Sequence, residues 1–143
     1  MPMPSTDLTG ELADADYRAL AAFRRSIREF LSFSESAARG NGLTPQQHQA
    51  ILAIRGLSDD GDMSVGSLAG HLMVQHHSAV ELVDRLAQAG LIERATATED
   101  RRKVNVRLTD RAHALLEQLS RVHLVELRRR APELAKILKG LSE

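Results

Sequence analysis

Two clusters of side chains stand out by type and spacing. One is Gln75, His76, His77, Ser78, Glu81 and Arg85, and the other is Asp100, Arg101, Arg102 and Lys103. Guanidinium and ammonium groups neutralise phosphate, and hydroxyl, amide and imidazole groups hydrogen-bond to it. Arg, Gln and Glu also match the donor and acceptor patterns on base edges. This is the chemistry of gripping a duplex, not of breaking bonds. The sequence contains no glycine-rich phosphate loop, no HExxH and no nucleophile elbow. Its acidic residues are mostly interleaved with arginine, which marks solvated or paired charge. The expectation is a non-enzyme without a cofactor.

The bulk properties set limits. The chain has 143 residues, 43% of them apolar, which is enough for one domain with a real core. It has no cysteine, which excludes disulfides, thiolate metal sites and thiol-oxidation switches within it. The formal net charge is zero, so attraction to a polyanion must come from clustered charge and must weaken with salt. No run approaches the roughly 18 apolar residues of a membrane span. The N-terminal MPMPSTDLTGELADAD lacks the basic start and apolar centre of a secretory signal, so a cytoplasmic location away from membranes is expected.

The elements that position the two clusters follow from periodicity. Leu20, Phe23, Ile27, Phe30 and Leu31 form one apolar stripe on a first helix from Asp14 to about Ala38, which frays into the Ser-, Ala- and Gly-rich stretch ending at Gly42. Thr44-Pro45-Gln46-Gln47 reads as a capping box with proline at the first helical position, opening a helix that carries Ile51, Leu52, Ile54 and Leu57. Ser58 to Asp62 reads as a turn. Ser64 caps a short third helix bearing Val65, Leu68, Ala69 and Leu72. A fourth runs from Gln75 to Ala89, with Ala79, Leu82, Val83 and Leu86 on its inner face and Gly90 ending it in the left-handed conformation. Two helices joined by a tight turn make a helix-turn-helix. Leu91–Ala95 and Val104–Leu108 are the strands of a hairpin, the wing, whose tip holds the second cluster. Thr109 caps a long fifth helix with Leu115, Leu116, Leu119, Val122, Val125 and Leu127, and Pro132 is expected to restart a last short one.

The fold class is therefore mainly α with a small β wing: a winged helix-turn-helix over 44–109 with N- and C-terminal dimerisation helices at 14–40 and 110–143. The whole chain, 1–143, reads as one domain. Both ends carry apolar stripes that a winged helix alone cannot cover, and a homodimer with interlocked terminal helices is the simplest cover. Two-fold symmetry would then present two probe helices about 34 Å apart to a near-palindromic duplex.

These residues resemble the MarR family of bacterial winged-helix transcription regulators. Leu82-Val83-Asp84-Arg85-Leu86, Ala89-Gly90-Leu91-Ile92-Glu93-Arg94, Asp100-Arg101-Arg102-Lys103 and Val106-Arg107-Leu108-Thr109 match, in order and spacing, the family's LVDRL, GLV-x-R, DxR and LT elements. The resemblance implies a dimer on pseudo-palindromic double-stranded DNA, often repressing a nearby gene and released by a small aromatic effector. It carries the wing pair over to Asp100 and Arg102, with the arginine in the minor groove and the aspartate holding it. A narrow minor groove concentrates negative potential and favours that insertion. Arg101 and Lys103 then meet phosphate.

One position departs from the family. Many members have Thr-Arg before LVDRL, where this chain has Val80 and Glu81. Glu81 either accepts from cytosine N4 or pairs with Arg85 one turn later, and Arg85 is either structural or phosphate-bound. The six histidines do not assemble a metal site: neighbours such as His76 and His77 diverge on a helix, and four ligands cannot be found. Tyr17, His48, Arg55 and His113 are the candidates near an effector pocket, placed there by the resemblance. His48 and His113 read equally as ordinary helix residues. The alternative function is a winged-helix protein-interaction module without strong DNA affinity, for which neutrality and Glu81 leave room.

Overall fold

A computed structural model describes residues 10–96 and 104–141. Five helices and three strands occur among them: α1 (Asp14–Gly40), α2 (Pro45–Leu57), β1 (Met63–Ser64), α3 (Val65–Leu72), α4 (His76–Gln88), β2 (Ile92–Thr96), β3 (Val104–Leu108) and α5 (Asp110–Gly140). The chain divides into two compact units, Ser34–Leu124 and Met1–Phe33 with Val125–Glu143.

Within Ser34–Leu124, local chemistry sets most of the boundaries. The Gln47 amide donates to Thr44 Oγ1 at 3.1 Å and the Thr44 amide to Gln47 Oε1 at 2.9 Å, completing the box that starts α2. The Ser67 amide donates to Ser64 Oγ at 3.1 Å to start α3. Gly90 has φ +73°, a value that β-carbons disfavour. There the Leu91 amide reaches the Leu86 carbonyl and the Gly90 amide reaches that of Ala87, the paired bonds of a Schellman ending. Thr109 then joins two elements: its hydroxyl donates to the Gly90 carbonyl at 2.7 Å and accepts from the Ala112 amide at 3.2 Å.

The sheet has the order β1-β3-β2, antiparallel throughout, with Ile92 opposite Leu108, Arg94 opposite Val106 and Met63 opposite Val106 on the other side. Ile51, Ile54, Leu68, Leu86, Leu91, Val106 and Leu119 are fully buried and bring α2, α3, α4, the sheet and α5 onto one core.

In the other unit, charge ties α1 to α5. Arg130 Nη1 donates to Glu29 Oε2 at 2.8 Å, and Arg130 Nε donates to Glu126 Oε1 at 2.7 Å. Arg25 and Arg129 extend the chain of ion pairs at either end. The hydrogen bond from Arg130 first, and that from Arg25 next, hold the Glu29 carboxyl below its ordinary range. Glu126 is held down likewise, chiefly by Arg129.

Three expectations are corrected. α1 does not fray after Ala38 but stays helical to Gly40, because Ala38 is fully buried and Leu43 packs back with its amide on the Ala38 carbonyl. β1 is not among the expected elements. It exists because Arg107 forms a fork on Asp62, with Nε to Oδ1 at 2.8 Å and Nη2 to Oδ2 at 3.0 Å, beside the Met63–Val106 pairing. Pro132 does not restart a helix; it lies inside α5. An interior proline costs about 3 kcal/mol, and the helix-forming Arg128-Arg129-Arg130 run, with two of its arginines on Glu126, continues α5 across it.

The core position most central to this arrangement is Leu86. Leu86→Ala is expected to destabilise the protein by about 2–5 kcal/mol, read as the loss of free energy in urea unfolding.

Candidate nucleic-acid interface

α4 has a strict division of faces. Ala79, Val83 and Leu86 are buried, whereas His76, His77, Val80, Glu81, Asp84 and Arg85 are exposed. Gln75 is the N-cap residue in an extended conformation, and its side chain makes no capping bond. Ser78 is half-buried on the same first turn. The amides of that turn and the partial positive charge of a helix N-terminus suit an anion. Five of the six helix residues singled out in the sequence thus lie on or beside the open face, and the sixth, Ser78, lies at its edge.

Two clefts flank the helix. One, of about 380 Å³, has walls from Val65, His76, Val80, Asp84, Arg94 and Val104. The other, of about 270 Å³, includes Ser78, Glu81, Leu82 and Arg85 beside Thr44 and Gln47. Glu81 and Arg85 therefore share a cleft, yet no ion pair joins them among the described residues. The carboxylate of α4 that does pair is Asp84, which takes the Arg94 guanidinium of β2. That bond braces the probe helix against the first strand of the wing. Sequence reasoning missed it because the partners lie ten residues apart across a turn. Val80, named in the sequence with Glu81 as a departure from the family pattern, is 39% exposed on the outward face.

The wing itself is carried by the ladder from Ile92↔Leu108 to Thr96↔Val104. Asp100, Arg101, Arg102 and Lys103 lie outside the described residues. Arg107 is engaged by Asp62, whose hydrogen bond is the main cause raising the guanidinium's pKa above its ordinary value.

Residues 41–103 match the model of the MarR family. The winged-helix segment of this chain is thus similar to the MarR family. Among curated relatives, the HTH-type transcriptional repressor MdtR of Bacillus subtilis is 28% identical over 108 residues, 76% of this chain and 65% of MdtR. The chain thus spans slightly less than two thirds of that relative's length. Among solved structures, AbsC of Streptomyces coelicolor superposes with a TM-score of 0.73 at 21% identity, covering 93% of this chain and 95% of AbsC. A point mutant of MarR from E. coli, complexed with operator DNA, gives 0.67 at 20% identity over 92% of this chain and 99% of that one. These likenesses show that the mainly helical, winged fold is that of MarR-family structures.

The remaining candidates scatter. Arg55 and His113 line one shallow cleft of about 380 Å³ with Leu116, Glu117 and Ser120. His48 is buried elsewhere, with its ring against His123. Tyr17 is 59% exposed on α1 in the other unit. No group of three or more histidines and carboxylates is placed to hold a metal among the described residues, and no described helix is long and apolar enough to cross a membrane.

Asp84 and Arg94 are each about half exposed, so their pair adds little to stability in water. Asp84→Asn is expected to shift urea unfolding by less than about 1 kcal/mol, while amide exchange in β2 speeds up relative to β3.

Proposed function

We propose that this protein is a transcriptional regulator that binds double-stranded DNA as a homodimer on a pseudo-palindromic operator, acting as a repressor. The observation that carries the reading is α4 itself: an apolar inner face seated in the core, a polar outer face left open, and a brace from Asp84 to the strand that leads into the basic wing. Net neutrality is compatible with this arrangement, because Arg85 and the consecutive Arg101, Arg102 and Lys103 supply local positive charge where phosphate would lie.

In the complex, α4 enters the major groove. His76, His77, Gln75 and Ser78 approach phosphate at its N-terminal turn. Glu81, free of Arg85, accepts from cytosine N4, and Val80 beside it meets the methyl group of thymine. Arg85 reaches the backbone. Arg102 enters the minor groove with Asp100 holding it, and Arg101 and Lys103 contact flanking phosphates. Dimerisation covers apolar side chains that stand exposed on the single chain: Leu20, Ile27 and Leu31 of α1, and Val122, Val125 and Leu127 of α5. MdtR is named a repressor, and the E. coli MarR mutant was solved with operator DNA, which supports the same assignment here. A small aromatic effector with an anionic group suits the cleft of Arg55 and His113. Its binding would favour a half-site spacing unsuited to DNA.

The test is selection from a random duplex library at moderate salt. A palindromic motif is expected, with half-sites one helical turn apart. Arg102→Ala should weaken binding to that motif by about 1–3 kcal/mol and reduce the salt slope by about one. Glu81→Gln should relax the choice at one base pair per half-site while leaving the salt slope unchanged. Intact dimers that enrich no sequence would instead support a protein-interaction module, the reading that neutral charge and the exposed Glu81 favour.

A further inference from the structure

Three polar side chains meet inside Ser34–Leu124 away from the DNA-facing surface. His48 of α2 is 4% exposed, one of two buried polar or charged residues among those described. Its ring centroid lies 4.8 Å from that of His123 of α5, with the planes tilted by 43°. His123 Nδ1 is 2.6 Å from the Leu119 carbonyl oxygen, and His123 Nε2 is 2.8 Å from Ser34 Oγ of α1. The cluster therefore joins three helices through two imidazoles and one hydroxyl.

The hydrogen bonds fix the tautomer of the neutral His123 ring. A carbonyl oxygen only accepts, so Nδ1 of His123 carries the proton and donates to Leu119. In the neutral ring Nε2 then accepts, and the Ser34 hydroxyl donates to it. The titratable group facing His48 is His123 of α5, and α1 contributes the Ser34 hydroxyl to the cluster. No carboxylate acts on His48 among the described residues. Charge arising on His48 therefore meets a second imidazole and not a counter-ion, and a buried cation so placed is costly.

We propose that Ser34, His48 and His123 form a proton-sensitive joint that holds α1 and α5 on α2 while the His48 ring is neutral and loosens on mild acidification. The sign follows from burial. Desolvation first, and the neighbouring His123 second, hold the His48 imidazole below its ordinary value of 6.5. The unfolded chain takes up that proton near 6.5, and the folded chain resists it. The stabilisation is complete above that pH and declines as pH falls toward the folded value. The joint is independent of whether the protein binds DNA.

Hydrogen exchange on the full chain without DNA, at about pH 7.5 and about pH 5.5 and corrected for intrinsic rates, tests it. Protection in 34–40, 45–57 and 119–124 is expected to fall, by up to about tenfold at one unit below 6.5, with 104–108 changing less. In His48→Gln that fall should shrink several-fold. An equal fall in the variant, or no fall in the wild type, overturns the joint. Because the variant can also disturb packing, the His48 ring is followed by NMR in the wild-type protein. A titration midpoint below 6.5, moving together with the exchange change, is expected, and a midpoint at or above 6.5 overturns the proposal.

Discussion

The fold depends on the corner where α4 ends. In the space of a few residues the chain must stop a helix, reverse its backbone and start a strand. Gly90 supplies the left-handed conformation, and Leu91 enters the core at full burial with its amide returned to Leu86. Thr109 and Arg111 of the segment leading into α5 then bond to the carbonyls of Gly90 and Ala89. The carbonyls that a helix end leaves unsatisfied are thus taken up by the element that follows the sheet. Probe helix, wing and fifth helix are fixed at one point, and the pose of α4 is set by bonds that belong to its neighbours.

That arrangement separates stability from recognition. The inner face of α4 contributes to the core through Ala79, Val83 and Leu86, whereas the outer face contributes almost nothing to packing. Outer residues are therefore free to change without endangering the fold. Val80 and Glu81, where the family often has Thr-Arg, occupy that face. The Asp84–Arg94 pair belongs to neither class: exposed and weak in water, it joins α4 to the first strand of the wing.

What was legible in the sequence was what is local. Thr44 with Gln47, Ser64 and Gly90 each act within three or four residues, and each lies where the pattern put it. The open face of α4 followed from its helical period. What escaped is what chain separation hides. β1 needs Arg107 on Asp62, 45 residues apart. The His123–Ser34 contact spans 89 residues. Pro132 is a strong local signal that the surrounding helix overrides. The candidate site followed the same division: the exposed face of α4 follows from local pattern, and the Asp84–Arg94 pair does not.

The turn between α3 and α4 carries one further consequence. Met73 sits there in the left-handed region, at φ 57° and ψ 42°, and is 91% exposed, so no burial of its side chain offsets the strained backbone. That conformation costs an L-residue roughly 1–2 kcal/mol. A residue at ease in it, such as glycine or asparagine, would give up no packing. The corner is thus a place where heat tolerance can rise while both helices, and whatever they recognise, stay as they are.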